Sequence, residues 1–309
     1  MRLIPTHRLQ PGMRLGRSIY DTGGHLLLGE GVQLTQRYIE RLRELGVFRV
    51  YVQDPRTEDA EVEDVVGEGV RVAALNAVKR VLLATHDAMI HKKHVLITRD
   101  LKWVVNMMID ELMNRKKTVI SILDLKSFDN YTYTHSVNTC ILALISGVGL
   151  AYDEIRLRNL GLGLLIHDIG KMAIPPAILN KPGALEPWEQ EWVRAHPRDG
   201  YEMLQGDDEL PPVSRAICLQ HHERYDGSGY PNRLEGQSIH EFGKIAAVVD
   251  VYDALTSDRP YRKSYLPYKA IEHLRSLSGS SFDASVVDEF VKHVAPYPIG
   301  ITVKLSSGH

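Results

Sequence analysis

Five of the 14 histidines lie between positions 135 and 222, and each of them stands beside an apolar run with helical spacing. The clearest of these runs read THSVNTCILALI, LGLGLLIHDIG and AICLQHH. A helix with a wide apolar face has to bury that face against other elements. Imidazoles carried on such helices project into a shared interior, as metal ligands do in helical bundles. The pattern therefore predicts a helical core that contains ionisable groups.

The remaining patterns extend this prediction to the whole chain. With 309 residues and 44% hydrophobic residues, the chain can fill a sizeable core. Residues 1–53 mix short β-like runs with one helix: GHLLLGEGVQL is typical of strand, turn and strand, TQRYIERLRELGV of a helix, and FRVYV of a strand. We predict a mainly α protein, a helical bundle preceded by a small N-terminal α/β module.

Changes in composition divide the chain into five parts. Residues 1–53 form the small α/β accessory module, and residues 54–70 are acidic and free of aromatic residues, which favours a linker. Residues 71–118 have the spacing of long amphipathic connecting helices. Residues 119–300 form the large helical domain, interrupted by loops rich in proline and glycine, and residues 301–309 are a tail.

Charge, cysteine content and apolar runs exclude several classes of protein. The net charge of −2 gives no general field for binding polymeric nucleic acid, although a local basic pocket can still bind a small anion. Cys140 and Cys218 form no CxxC pair, so we expect buried reduced thiols. The longest apolar span, at 140–151, is far shorter than the roughly 20 residues that cross a bilayer. We expect a cytoplasmic protein without a membrane span.

The residue types in the apolar runs favour a transition-metal site. Neutral imidazole binds first-row transition metals, and a carboxylate such as Asp168, next to His167, can bridge two of them. Asp250 also lies in an apolar helical run, where an unpaired charge is costly. Either coordination of a cation or pairing with a buried arginine would remove that cost.

Single histidines are weaker signals. His196 stands beside a proline and also fits a surface or capping position. His221 and His222 are adjacent, and neighbours on a helix diverge by about 100°, so one of the two could face solvent. The other nine histidines have no second ligand type in a comparable apolar setting, and we interpret them as ordinary residues: His7, His25, His86, His91, His94, His240, His273, His293 and His309.

Three longer motifs resemble a known family. HDIGK at 167–171, HHERYDGSGYP at 221–231 and DVYDALTSDRPYR at 250–262 are similar to the motifs of the HD-GYP phosphodiesterases, bacterial enzymes of the HD superfamily that hydrolyse cyclic di-GMP. YTYTHS and AHPRDGYEML follow the same order, so the resemblance covers roughly residues 119–300, which would be the catalytic domain. By analogy alone, the first 118 residues are a regulatory or accessory module.

The resemblance implies a complete set of site residues. The metal ligands would be His135, His167, Asp168, His196, His221, His222 and Asp250, with Asp168 as the bridging carboxylate. The catalytic residues would be Asp168 and Lys171. The substrate-binding residues would be Asp129, Lys171, Tyr230, Arg259 and Arg262, of which the arginines alone would equally fit a solvated helix end. Asp253, Thr256 and Asp258 of the third motif would support the ligands or the fold.

The same resemblance implies the cofactor and the reaction. The cofactor would be two divalent transition metals, Fe or Mn, with Zn or Ni also suitable. They would hold a bridging hydroxide that attacks the phosphodiester, while Lys171 neutralises the phosphate. Members with three metals carry a Glu four residues before the first ligand histidine, where this chain has Tyr131, which disfavours a third metal. Asp129 lies nearby and would serve in substrate or metal contact. The product would be linear pGpG, with further hydrolysis to GMP left open.

Three alternatives remain open at this stage. The chain could be a catalytically weak receptor for a cyclic dinucleotide, or an HD phosphohydrolase for another nucleotide such as cyclic GMP-AMP. Helices in the range 71–118 could form a homodimer, and the N-terminal module could bind protein partners. The complete ligand set favours the enzyme.

Overall fold

The structure is a computed structural model that describes residues 1–21, 25–55, 65–91, 98–114, 131–257 and 264–303. It confirms the predicted mainly α architecture. The helices of the described residues are α1 Gln36–Glu44, α2 Glu68–His91, α3 Thr98–Met113, α4 Tyr131–Gly149, α5 Glu154–Ile166, α6 Pro176–Leu179, α7 Pro187–Met203, α8 Pro212–Gln220, α9 Glu241–Thr256, α10 Pro267–Ser276 and α11 Ala284–His293.

The large core forms around α4 and α5, which pack against each other along much of their length. Helix α4 is buried on all sides over residues 137–145, as expected of a helix surrounded by others. Helices α2 and α3 pack against this pair, and so do α8, α9 and α11. Helix α7 packs on α8 and on a short 3₁₀ turn, Ile169–Ala173, that follows α5.

In the N-terminal part, the described residues form four short strands: β1 Arg2–Pro5, β2 Ile19–Tyr20, β3 Leu26–Leu28 and β4 Arg49–Val52. β1 pairs antiparallel with β4, and β2 pairs antiparallel with β3. Helix α1 begins after Thr35, whose side chain accepts a hydrogen bond from the backbone N–H of Tyr38. A separate small core joins these elements: Ile4, Leu9, Leu15, Leu34, Ile39, Leu42, Val50 and Val52.

One local expectation for this part was wrong, and one strand was not predicted. The predicted second strand at 32–34 does not form, and only an isolated bridge joins Gln33 to Arg14. β3 pairs instead with the earlier strand β2, while β1, which the sequence analysis did not identify, becomes the partner of β4. Short apolar runs show where a strand can form, but the pairing depends on the rest of the chain.

Helices α2 and α3 pack directly into the large core. Val65 and Val66, which precede α2, are also buried there. The division at residues 54–70 and 71–118 stays a prediction, since the two helices share their buried faces with α4 and α5. None of the helices in the described part of the chain is long and apolar enough to cross a membrane.

Candidate metal centre

His167 and Asp168 lie just after the end of α5 and not within it. The helix ends at Ile166, His167 is its C-terminal cap, and Asp168 follows in a turn that leads into the 3₁₀ segment Ile169–Ala173. The apolar sequence before the pair is explained by the eight buried residues of α5. The helix thus anchors the pair, while the turn directs both side chains toward the same interior space.

Gly170 allows this turn to approach α7 closely. A Cβ atom at this position would lie 2.5 Å from the backbone nitrogen of Gly200, and closer still to the carbonyl oxygen of His196. The spacing of apolar residues does not reveal this contact. Since His196 is itself one of the predicted ligands, a residue without a side chain at 170 brings two parts of the site together.

Helices α7 and α8 supply three further imidazoles. His196 is fully buried on α7 despite the adjacent Pro197, so the surface alternative was wrong. Helix α8 ends at Gln220, and His221 and His222 follow its last turn. Their rings lie 4.1 Å apart between centroids, and both imidazoles belong to one ligand group with His196.

Helices α4 and α9 complete the set. His135, near the start of α4, places Nε2 3.0 Å from Oδ1 of Asp250 on α9. Oδ2 of Asp250 lies 3.7 Å from Nδ1 of His222. Asp250 therefore pairs with histidines, and the described residues place no arginine in an ion pair with it.

The carboxylate of Asp168 lies between two groups of ligands. Its Oδ2 is 3.7 Å from Nε2 of His135 and 3.5 Å from Nε2 of His167. Its Oδ1 is 3.3 Å from Nε2 of His196 and 3.7 Å from Nε2 of His221. Two groups of possible ligands flank it: His135, His167 and Asp250 on one side, and His196, His221 and His222 on the other. A third group, formed by His167, Asp168 and His221, joins them.

The hydrogen bonds of the imidazoles fix which nitrogen points inward. Nδ1 of His167 donates to the carbonyl of Leu164 at 2.7 Å, because a carbonyl can only accept. Nδ1 of His196 donates in the same way to Val193 at 2.5 Å. In a neutral imidazole this leaves Nε2 with a lone pair, directed at the interior of the site.

These lone pairs show that a cation fits the residues present. Nε2 of His196 and Nε2 of His221 lie 3.1 Å apart. Because Nδ1 of His221 donates to a backbone carbonyl, as Nδ1 of His196 does, Nε2 of each neutral ring carries a lone pair. Two lone pairs at this distance repel each other unless a positive charge lies against both. Nε2 of His167 is buried and has no hydrogen-bond partner among the described residues. Buried polar atoms without partners are rare, and coordination of a metal satisfies them.

The pKa values follow from burial and from the mixture of charges. Burial lowers the pKa of His222 to about 3 and holds the pKa of His221 well below its usual range. Burial also opposes protonation of His135, but hydrogen bonds to Asp250 and Asp253 raise its pKa to about 9. Burial alone would raise the pKa of Asp168, yet the charge of Lys171 and the neighbouring histidines hold it well below its usual range.

Two predicted residues lie at the edge of this cluster. Nζ of Lys171 is 2.5 Å from Oδ2 of Asp168, and its side chain is partly exposed. The ring of Tyr230 stacks on the ring of His222, with centroids 4.8 Å apart and planes 29° from parallel. A ligand that reaches the buried carboxylate would therefore meet a cation and an aromatic ring first.

The remaining predicted residues cannot be placed in the same way. Asp129, Arg259 and Arg262 lie outside the described residues, as does Asp258. Tyr131 is the first residue of α4, four positions before His135.

One buried residue that the sequence analysis did not single out supports the loop after the histidine pair. The carboxylate of Glu223 accepts hydrogen bonds from the backbone N–H groups of Asn232, at 2.7 Å, and Leu234, at 3.0 Å. Gly229 permits the loop to fold back, because a Cβ atom there would lie 2.5 Å from Cα of Glu223. An acidic residue directly after two buried histidines is a signal that could have identified this role.

Comparison with known proteins finds sequence similarity over the part of the chain that contains this site. The HD-domain family profile matches residues 117–286. Over its full length the chain is 34% identical to a Pseudomonas aeruginosa protein named cyclic di-GMP phosphodiesterase PA4108, of which it covers 80%. Over 61% of its length it is 33% identical to a Vibrio cholerae protein named 3'3'-cGAMP-specific phosphodiesterase 2, of which it covers 37%.

A solved structure shows the same fold at low sequence identity. It is described as Bd1817, a HDG"Y"P protein from Bdellovibrio bacteriovorus, and superposes with a TM-score of 0.61 over 94% of this chain and 98% of its own. The two sequences are 16% identical, so the likeness concerns the fold alone.

Proposed function

This chain belongs to the HD-domain family, in its HD-GYP branch, and we propose that it is a metal-dependent phosphodiesterase that hydrolyses cyclic di-GMP. The observation that carries the proposal is the position of the Asp168 carboxylate between two groups of three ligand residues. The relative that the chain matches over its full length is named for the same activity.

The residues of the centre would act as ligands of two metal ions. We propose that His135, His167 and Asp250 hold one divalent ion, that His196, His221 and His222 hold the other, and that Asp168 contacts both. Ions bound there would supply Lewis acidity and activate water at neutral pH. No side chain is needed as a nucleophile, which agrees with the unreactive surroundings of both cysteines.

Lys171 and Tyr230 would bind the substrate at the edge of the centre. Because Nζ of Lys171 already lies against Asp168, a phosphate that contacts the ions also comes within reach of this ammonium group. Tyr230, held against His222, offers an aromatic face beside the ligands. We expect Lys171 to neutralise charge on the phosphate, and Asp129, Arg259 and Arg262 to complete substrate binding.

The number and identity of the ions belong to the same proposal. The donor set of imidazoles and carboxylates accepts Fe or Mn, as well as Zn or Ni. Two separate ligand groups favour two ions, and Tyr131 in place of a carboxylate disfavours a third. With two ions we expect linear pGpG as the main product.

The proposal is tested by product analysis on protein reconstituted with Fe or Mn without oxygen. Cyclic di-GMP should be converted to pGpG at a rate that depends on the metal content. Tight binding of cyclic di-GMP without any product, in protein that contains two ions per chain, would instead identify a receptor.

Relatives named for 3'3'-cGAMP suggest a second candidate substrate. The Vibrio cholerae relative is named for 3'3'-cGAMP, and the chain covers only 37% of that protein. Initial rates on cyclic di-GMP and on 3'3'-cGAMP, measured with the same preparation, separate the two candidates. We expect the higher rate on cyclic di-GMP.

We also propose a homodimer through helices in the range 71–118, and protein partners for the N-terminal module. Trp103 on α3 and Leu83 on α2 are exposed and apolar, as residues of such an interface would be in the isolated chain. A monomer in sedimentation at micromolar concentration would contradict the dimer.

A further inference from the structure

Asp253 is a buried carboxylate that the proposed reaction does not use. It lies on α9, three residues after Asp250, and is only 1% exposed. Residues three apart on a helix lie on the same face, so both aspartates point toward α4. A buried carboxylate is costly unless hydrogen bonds satisfy it.

The carboxylate of Asp253 contacts one of the metal ligands directly. Its Oδ2 lies 2.7 Å from Nδ1 of His135, and Ser257 donates its hydroxyl to the same oxygen at 3.2 Å. Its Oδ1 accepts from the side-chain amide of Asn138 at 3.2 Å. These bonds fix the orientation of the carboxylate between α4 and α9.

His135 differs in this respect from three other imidazoles of the centre. Nδ1 of each of the others faces a neutral backbone carbonyl; these histidines are His167, His196 and His221. Nδ1 of His135 faces a carboxylate, while its Nε2 lies 3.0 Å from Oδ1 of Asp250. The two aspartates of α9 therefore contact opposite sides of one ring.

We propose that Asp253 is a positioning residue for metal binding: its hydrogen bond holds Nδ1 of His135 as the donor and directs the lone pair of Nε2 at the metal. The inference rests on the proposed metal site. A carboxylate behind a ligand imidazole fixes the tautomer and the ring orientation, and makes the imidazole a stronger donor.

Asp253→Asn is the informative variant because it keeps the shape and removes the charge. Asn138 already donates to Oδ1, so an amide at 253 has to turn its own NH₂ either toward Asn138 or toward His135. In the first orientation the NH₂ groups of the introduced amide and of Asn138 would face each other as two donors. In the second, the introduced NH₂ group would donate to Nδ1 of His135, which places the ring proton on Nε2, the nitrogen that should bind the metal. Ser257→Ala is the matched control, since it removes one hydrogen bond to the carboxylate but leaves the contact with His135.

The measurement is Mn²⁺ bound per chain after dialysis against buffered free Mn²⁺, with the thermal midpoint of the metal-free protein as a check on folding. Asp253→Asn is expected to weaken Mn²⁺ binding by roughly 10- to 100-fold, as loss of such a partner typically does, and Ser257→Ala by no more than about twofold. Asp253→Ala, a second variant, should match Asp253→Asn. Binding within about twofold of the parent in either Asp253 variant, or an equal loss in Ser257→Ala, overturns the proposal.

A double variant tests whether Asp253 acts through His135. His135→Ala keeps the group of His196, His221 and His222, and adding Asp253→Asn to it should leave Mn²⁺ retention unchanged. A further tenfold loss would show that Asp253 acts by another route and overturn the inference. If the unmodified protein retains no Mn²⁺, Fe or Zn, the proposed function fails instead, so the two failures are distinguishable.

Discussion

Replacing Gly170 with alanine tests whether close contact between the Ile169–Ala173 turn and α7 assembles the centre. The added Cβ would lie 2.5 Å from the backbone nitrogen of Gly200, whereas ordinary contact begins at 3.4 Å, a shortfall of 3.4 − 2.5 = 0.9 Å. Because the opposing atoms belong to the backbone, rotation of a side chain cannot relieve the contact.

The sign of the change in the free energy of unfolding distinguishes a tight contact from an unstrained glycine position. Glycine to alanine at an unstrained position stabilises a protein by about 0.4–1 kcal/mol through the unfolded state. Overpacking of a tight contact costs about 1–3 kcal/mol, and a contact between backbone atoms belongs at the upper end. A cost of about 3 kcal/mol, offset by up to about 1 kcal/mol of stabilisation through the unfolded state, leaves a net loss of about 2 kcal/mol for Gly170→Ala. We also expect the substitution to displace His196 from Asp168.

The assay is urea unfolding of the metal-free protein, followed by helical circular dichroism, together with Mn²⁺ retention. Gly69→Ala is the matched control, because Gly69 lies on α2 with no heavy atom within 4 Å of the position that its Cβ would take. It should be neutral or slightly stabilising. If Gly170→Ala is as stable as the parent and retains Mn²⁺ equally well, the close approach does not hold the ligands together.

Three further predictions address other parts of the molecule. Glu223→Ala removes the acceptor for the N–H groups of Asn232 and Leu234, so it should lower the free energy of unfolding in urea by at least about 2 kcal/mol. The control Glu191→Ala, at an exposed position, should change it by no more than about 0.5 kcal/mol. Equal stabilities of the two variants would contradict the role of Glu223 in the loop. Burial raises the pKa of the thiols of Cys140 and Cys218, so neither should react with Ellman's reagent at pH 8 before unfolding, and rapid reaction of the native protein would show that they are accessible. Tyr131→Glu should raise the metal content from two ions per chain to three by elemental analysis, and an unchanged content would show that this position does not decide the number.

The sequence predicted the helical architecture because apolar spacing reports directly on buried faces. It also assembled the candidate ligands: the structure brings together His135, His167, Asp168, His196, His221, His222 and Asp250. That set came from the resemblance of motifs, since no single histidine distinguishes a ligand from a buried structural residue.

The details that the sequence did not predict depend on where helices end and on what lies behind a ligand. His167 and Asp168 follow α5 at its C-terminal end, and His221 and His222 follow the last residue of α8. Helical spacing cannot reveal such positions. The contact of Asp253 with His135 joins residues 118 positions apart, so it requires the packing of α9 against α4.

The most direct test of the account is Asp168→Ala, which removes the carboxylate between the two ligand groups. The measurement is metal content and conversion of cyclic di-GMP on the same purified sample, with the unmodified protein beside it. We expect the variant to lose bound metal and all turnover while its helical circular dichroism is retained. A variant that still hydrolyses cyclic di-GMP at a rate close to that of the unmodified protein would contradict it.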